Sequence, residues 1–182
     1  MRVIVVDTET TGLDPWQNEL LQVSIIDYNG NILFDEYIRP TREKSWKEAE
    51  LINGISPDMV SECLAIDKYR NEIQNIFNNT DRIVGYNLDF DMAFLKNAGI
   101  YLPECEYFDV MLEFAPIYGE WNEYFDDYKW QKLVVCADYY KYAWTDPVHN
   151  ALADCRATLH CYKCMIDDIQ KYKYNIYGER WD

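Results

Sequence analysis

The sequence predicts a mixed α/β fold, a five-stranded sheet flanked by helices. Three apolar, β-forming runs come first and close together: "RVIVVD" (2–7), "LLQVSIIDY" (20–28) and "ILFDEYI" (32–38). Helical and strand-like segments then alternate toward the end of the chain. With 182 residues, 49% of them apolar, the chain can build a full core. One domain spanning 1–182 is expected.

"YNGN" (28–31) is a hairpin turn, so the first three strands should form an antiparallel meander. A helical stretch follows at about 44–52, then a turn at "NGISPDM" (53–59). Residues 65–78 read as an amphipathic helix with Tyr69, Ile73, Ile76 and Phe77 on one side. "RIVGYN" (82–87) is the next strand, and 89–100 a helix that ends at Gly99. "EYFDVM" (106–111) reads as the last short strand. Residues 112–130, rich in aromatics and acids, fit no element, and two helices close the chain at about 130–142 and 150–172.

The formal net charge of −15 argues against a long groove for duplex nucleic acid, because such grooves are basic. A short site that reaches phosphate through divalent metals is compatible with it, since bound cations invert the local field. No run of about 18 apolar residues exists, so no membrane span is expected. The N-terminus enters a strand with neither a basic nor an apolar leader segment, and a cytoplasmic location is the expectation. The six cysteines sit mostly in apolar runs, as reduced core thiols do. Cys161 and Cys164 have CxxC spacing without a second pair and read as small apolar residues on one helix face rather than a zinc site.

The apolar run Val3–Val6 ends in Asp7, with Glu9 two residues on. Residues two apart in a strand share a face, so these acids point the same way. Taken alone they fit either a solvated strand end or a hard-cation site for Mg²⁺ or Mn²⁺. Asp89 and Asp91 follow a second strand at a helix start. Asp89 reads as a cap, whereas Asp91, among Phe90, Met92 and Phe94, suits a partly buried acid. Asn150 can cap a helix that places Asp154 in its first turn or so. His149 lies just outside that helix start, on a loop able to reach toward Asp154. His160 is assigned no role.

Together "DTETTG" (7–12), "YNLDFD" (86–91) and "HNALAD" (149–154) resemble the motifs of the DEDDh family of 3′→5′ exonucleases, which are related to the proofreading exonuclease of bacterial DNA polymerase III and to ribonuclease T. The resemblance runs from Arg2 to about Tyr162. "INGISPDMV" (52–60) and "KWQKLVVCADYYKY" (129–142) look like the family's intervening segments. It implies a ribonuclease H-like sheet, with Asp7, Glu9, Asp91 and Asp154 as the acids that bind two divalent cations. His149 matches the general base, where a tyrosine would mark the sister class.

The resemblance also implies a pocket for the 3′-terminal nucleotide at Thr8, Thr10, Gly12 and Leu13, with Ile55 and Phe90 near the last base. Asn53 stands where many members carry histidine, a departure that bears on a contact to that nucleotide. "FDVM" (108–111) stands where a "DT" is frequent after the last strand, and Asp109 is given no role. The implied substrate is a single-stranded or frayed 3′ end, DNA favoured over RNA. Aromatics of 112–130 are candidates for base stacking, and a polymerase or other protein partner could supply further grip. A variant acting on RNA or short oligonucleotides is the close alternative. A non-catalytic scaffold is the distant one, disfavoured because all five motif positions are intact.

Overall fold

The computed structural model describes residues 1–145 and 149–177, with the chain from residue 170 onward described as helical backbone only. The expected domain extent, 1–182, also includes 146–148 and 178–182, which lie outside the described residues. The main sheet has the order β3-β2-β1-β4-β5. Its strands are β1 (Val3–Thr10), β2 (Leu20–Asp27), β3 (Ile32–Tyr37), β4 (Arg82–Gly85) and β5 (Glu106–Asp109). β1 pairs antiparallel with β2, and β2 with β3, forming the expected meander. β4 and β5 add on parallel to β1.

β1 is central, and helices cover both of its faces. Ile4 and Val6 pack with Ile73 and Phe77 of α3 (Arg70–Asn78), and with Met92 and Leu95 of α4 (Leu88–Asn97). Val3 and Val5 face the other way. They pack with Phe114 of α5 (Val110–Tyr118), Cys136 of α6 (Leu133–Tyr139), and Cys155, Leu159 and Tyr162 of α7 (Ala151–Tyr177). A strand buried on both faces reads as an unbroken apolar run, which is the character of Val3–Val6. Strand parity carries on past the apolar run. Asp7 and Glu9 continue the Val3–Val5 face toward α7, and Thr8 continues the Ile4–Val6 face toward α4.

The expected helix at 44–52 is α1 (Lys47–Asn53), closed by Gly54 in the left-handed conformation, φ +70°. Ser56 caps the short α2 (Pro57–Val60). The helix expected over 65–78 divides into a 3-10 turn, Ile66–Lys68, and α3, whose stripe of Tyr69, Ile73, Ile76 and Phe77 does face the core. α4 stops at Asn97, and Gly99, φ +86°, turns the chain away.

Three expectations need correction. The strand expected over 106–111 ends at Asp109, whose side chain caps α5 by accepting from the backbone N–H groups of Met111 and Leu112. α5 escaped the sequence reading because Pro116 sits inside it and polar turn residues follow. The remainder of 112–130 contains a small hairpin, β6 (Trp121–Asn122) with β7 (Asp127–Tyr128). The helix expected over 130–142 is confined to α6. The His160 ring is packed, its Nε2 2.9 Å from the Tyr140 carbonyl at the end of α6. Cys161 is buried on the core face of α7, as a small apolar residue would be, and all six cysteines are free thiols. Among the described residues, no helix is long and apolar enough to cross a membrane.

Candidate active site

Three elements bring four acids together. The end of β1 carries Asp7 and Glu9, the first turn of α4 carries Asp91, and the first turn of α7 carries Asp154. Asp7, Glu9 and Asp154 each offer a carboxylate oxygen, and these oxygens all lie within 4.8 Å of one another. Asp91 approaches from the opposite face. Its Oδ1 accepts the backbone N–H of Thr8 at 2.8 Å and the Thr8 hydroxyl at 2.6 Å. A β-bulge between Glu9 and Thr10 in the pairing with β2 ends the regular ladder beside the acids.

Such crowding without counter-charge is costly, and it favours the protonated form of each acid. Burial pushes the Asp7 carboxyl well above its ordinary range, and Asp91, Asp154 and Glu9 add repulsion. Glu9 is pushed up to about 8 by burial and by Asp154 and Asp91, against a hydrogen bond from the Asn53 side chain. Asp91 rises to about 7 through burial, although the two Thr8 donors oppose it. Asp154 rises to about 6, again through burial, against the backbone N–H of His149. Asp154 Oδ1 is buried with no hydrogen-bond partner. A buried, unpartnered carboxylate oxygen among converging acids suits a hard divalent cation, which takes oxygen ligands.

The helix bearing Asp154 is fixed from β2. Asn150 Oδ1 accepts from Ala153 N at 3.3 Å, and Gln22 Oε1 accepts from Ala151 N at 3.2 Å and Asn150 Nδ2 at 3.4 Å. The buried Gln22 is held in turn by Asp35. The helix bearing Asp91 is fixed from β5, because Asp109 accepts from Asn87 N at 3.1 Å and Leu88 N at 2.8 Å. Asp109 thus caps two helix starts. The cap expected of Asp89 comes from Asp109, and Asp89 is an exposed acid of the first turn. No local sequence signal marks Gln22 or Asp109, whose partners lie 129 and 21 positions away.

His149 has a left-handed backbone, φ +61°, and an exposed side chain. Its backbone N–H is what the structure joins to Asp154. Residues 146–148 of the same loop lie outside the described residues.

The loop after β1 is pinned at several points. Thr10 donates its hydroxyl to the Gly12 carbonyl at 2.6 Å, and Thr11 bonds Glu43. A side chain at Gly12 would meet Asn18 at 2.5 Å. Asn53, at the end of α1, donates to the Thr10 carbonyl at 3.2 Å and accepts from Ile55 N at 3.0 Å. It therefore lies against the site. Leu13, in the same loop after β1, is 83% exposed. Ile55 is 2% exposed and packed with Leu21, Trp46 and Val60, so its side chain presents no face to a base. Phe90 is half-buried, its ring 4.9 Å from that of Phe94.

The exonuclease family model matches residues 4–162. The Uncharacterized exonuclease CP81 of Escherichia phage 186 is 31% identical over 166 residues, which is 86% of this chain and 84% of that one. The PolC-type DNA polymerase III of Thermotoga maritima is 35% identical over 96 residues, 51% of this chain but only 7% of the polymerase. DNA polymerase III subunit epsilon of Rickettsia typhi is 31% identical over 102 residues, covering 53% of this chain and 44% of the subunit.

Two solved structures share the fold. One is Exonuclease X in complex with 5′ overhanging duplex DNA, with TM-score 0.66, 21% identity, and 99% and 94% of the two chains covered. The other is E. coli Exonuclease I in complex with a dT13 oligonucleotide, with TM-score 0.72, 21% identity, and 97% and 42% covered. The sheet order, the helices on both faces and these likenesses make the fold ribonuclease H-like. The family match runs from β1 into α7 and takes in all four acids, and the chain belongs to the exonuclease family of nucleic-acid hydrolases.

Proposed function

We propose that the chain is a single exonuclease domain of the DEDDh type. It removes nucleoside 5′-monophosphates from the 3′ end of single-stranded or frayed DNA. The observation that carries this reading is the convergence of Asp7, Glu9 and Asp154 within 4.8 Å, with Asp154 Oδ1 unpartnered. These three acids and Asp91 would hold two divalent ions, Mg²⁺ or Mn²⁺, since an all-oxygen donor set suits hard cations. When bound, such ions neutralise phosphate charge and make water acidic enough to attack a phosphodiester.

The chain's own residues do the rest. Thr8 orients the Asp91 carboxylate through two donors on one oxygen. His149 accepts the proton of the attacking water, for which imidazole is suited near neutral pH. Its exposed position beside the Asp154 helix supports that role. Thr10, Gly12, Leu13 and Asn53 form the wall against which the terminal nucleotide sits, and Phe90 borders it. DNA is favoured over RNA because curated relatives include DNA polymerase III polypeptides.

The test uses 3′- and 5′-labelled DNA and RNA oligomers with Mg²⁺ or Mn²⁺. Mononucleotides are expected from the 3′ ends of single-stranded DNA. Release from RNA alone would reassign the substrate, and no release from any oligomer would sink the enzyme reading. His149→Ala is expected to lose most turnover while keeping metal binding.

A further inference from the structure

The described structure has a second feature suited to nucleic acid, outside the acid cluster. A cavity of about 360 Å³ opens where the loop after β1, the end of β3, the start of α3 and the last turn of α4 meet. Its charged lining is Arg39, Arg42, Arg70 and Glu19. Three of the chain's seven arginines therefore surround one hollow in a protein of net charge −15.

The lone acid is already committed. Burial raises the Glu19 carboxyl, but the backbone N–H groups of Glu43, Thr41 and Arg42 outweigh that and hold it below its ordinary range. Each guanidinium is anchored by neutral carbonyls. Arg39 Nε donates to Cys63 O at 3.1 Å and Arg70 Nε to Ala98 O at 2.5 Å. Arg42 donates to Trp16 O at 3.3 Å and Asn18 O at 3.2 Å, with Glu19 3.8 Å away.

Gly99 makes room for this arrangement, since a Cβ there would lie 3.2 Å from Arg70 Nε. Anchoring through Nε leaves the paired Nη groups of Arg39 and Arg70 uncommitted in those bonds. Two donors in a fixed fork match phosphate oxygens. The Trp16 ring, 77% exposed, lies on the same rim and offers a surface for a base.

We propose that Arg39, Arg70 and Arg42 form an anion subsite that takes a phosphate group of a nucleic-acid strand or of a free nucleotide. The strand as source rests on the exonuclease reading. Its placement suits that source, because the cavity adjoins Asn97 in the last turn of the helix that carries Asp91 in its first. Asp91 and Asn97 are about six helical residues apart, roughly 9 Å. Thr10 at the end of β1 pairs with Leu20, which lines the cavity, so both sites share one end of the sheet.

The full chain is titrated in EDTA with inorganic phosphate, a nucleoside 5′-monophosphate and a single-stranded oligonucleotide, beside Arg39→Gln/Arg70→Gln and Arg39→Lys/Arg70→Lys. The glutamine pair is expected to weaken binding by roughly tenfold per arginine. It should also flatten the salt dependence by about 0.7 in log–log slope for each phosphate no longer neutralised. The lysine pair should recover part of the affinity.

Loss for the oligonucleotide identifies the strand, and loss for the mononucleotide alone identifies a free nucleotide; both support the subsite. Unchanged affinity for all three probes in a variant that melts like the parent overturns it. So does an absence of shifts at the Arg39 and Arg70 Nε–H resonances when the parent chain is titrated with the same probes, which needs no variant to fold. Without metal there is no turnover, so this result stands apart from the labelled-oligomer assay.

Discussion

Thr8 sends both its backbone N–H and its hydroxyl to the same oxygen of Asp91, at 2.8 and 2.6 Å. Strand parity explains the pairing: Thr8 points to the α4 face while its neighbours Asp7 and Glu9 point to the α7 face. One residue thus couples the two halves of the acid cluster through the strand. Both donors favour the ionised carboxylate and oppose the burial that pushes Asp91 up to about 7. Thr8→Val keeps the shape and the N–H but removes the hydroxyl. Mn²⁺ affinity measured by calorimetry is expected to fall about tenfold, since a hydrogen bond to a charged group is worth about 1.5–3 kcal/mol. Thr8→Ser is expected to bind like the parent. Equal affinity in Thr8→Val would show that the hydroxyl does not orient Asp91.

Asp109 serves two helices at once, accepting from Asn87 and Leu88 at the start of α4 and from Met111 and Leu112 at the start of α5. Loss of a cap costs about 1 kcal/mol per helix. Asp109→Ala is therefore expected to lower stability by about 2 kcal/mol, or several degrees of Tm for a chain of this size. Because α4 carries Asp91, the same variant should weaken metal binding although Asp109 has no place among the proposed ligands. Asp109→Asn keeps an acceptor and should lose less on both counts. Thermal melting with and without Mn²⁺ separates the two effects, and a parent-like melt for Asp109→Ala would remove the double cap.

Gly12 is required by space rather than by backbone twist. A Cβ would meet the Asn18 side chain, which accepts from Asp14 N at 3.0 Å and donates to Glu43 at 3.2 Å. Gly12→Ala must displace that amide and forfeit both bonds, each worth about 1 kcal/mol. The loop after β1 then loses its fixed shape, while the acids keep theirs. The expected signature is a severalfold rise in KM for single-stranded oligonucleotides with kcat little changed. A fall in kcat at constant KM would place the loop's effect on the acids instead.

The site was legible where its logic is local. Asp7 and Glu9 announce a shared face because Val3 and Val5 set the parity of a fully buried strand, and Asp154 follows a capping Asn150. The groups that hold those acids in place are legible only in three dimensions. Gln22 looks like any polar residue of a strand until the N-terminus of α7 arrives above it. Asp109 looks like a strand-end acid until two helix starts converge on it. Ile55 shows the opposite failure: a motif position suggested contact with a base, but Trp46, Leu21 and Val60 enclose the side chain. α5 was hidden by Pro116, which reads as a breaker in sequence but falls near the helix end, ahead of Gly119 at φ +79°.

Burial and mutual repulsion make the ionised cluster unfavourable to the fold, and this has a definite pH signature. Asp154, Asp91 and Glu9 bind protons more tightly in the folded chain, at about 6, 7 and 8, than in the unfolded chain, near 4. Stability falls with pH wherever the native state holds more protons than the unfolded one. In EDTA the melting temperature is therefore expected to decline from about pH 4 through about pH 8 as these three acids ionise, with Asp7, held above its ordinary range, adding to the decline. Saturating Mg²⁺ or Mn²⁺ should neutralise the carboxylates, flatten the decline and raise Tm most at the alkaline end. Asp154→Asn removes one charge from the cluster. It should raise the metal-free Tm above pH 7 relative to the parent and abolish most of the metal response. A decline of equal slope with and without metal would mean that the cluster does not take up cations in this pH range.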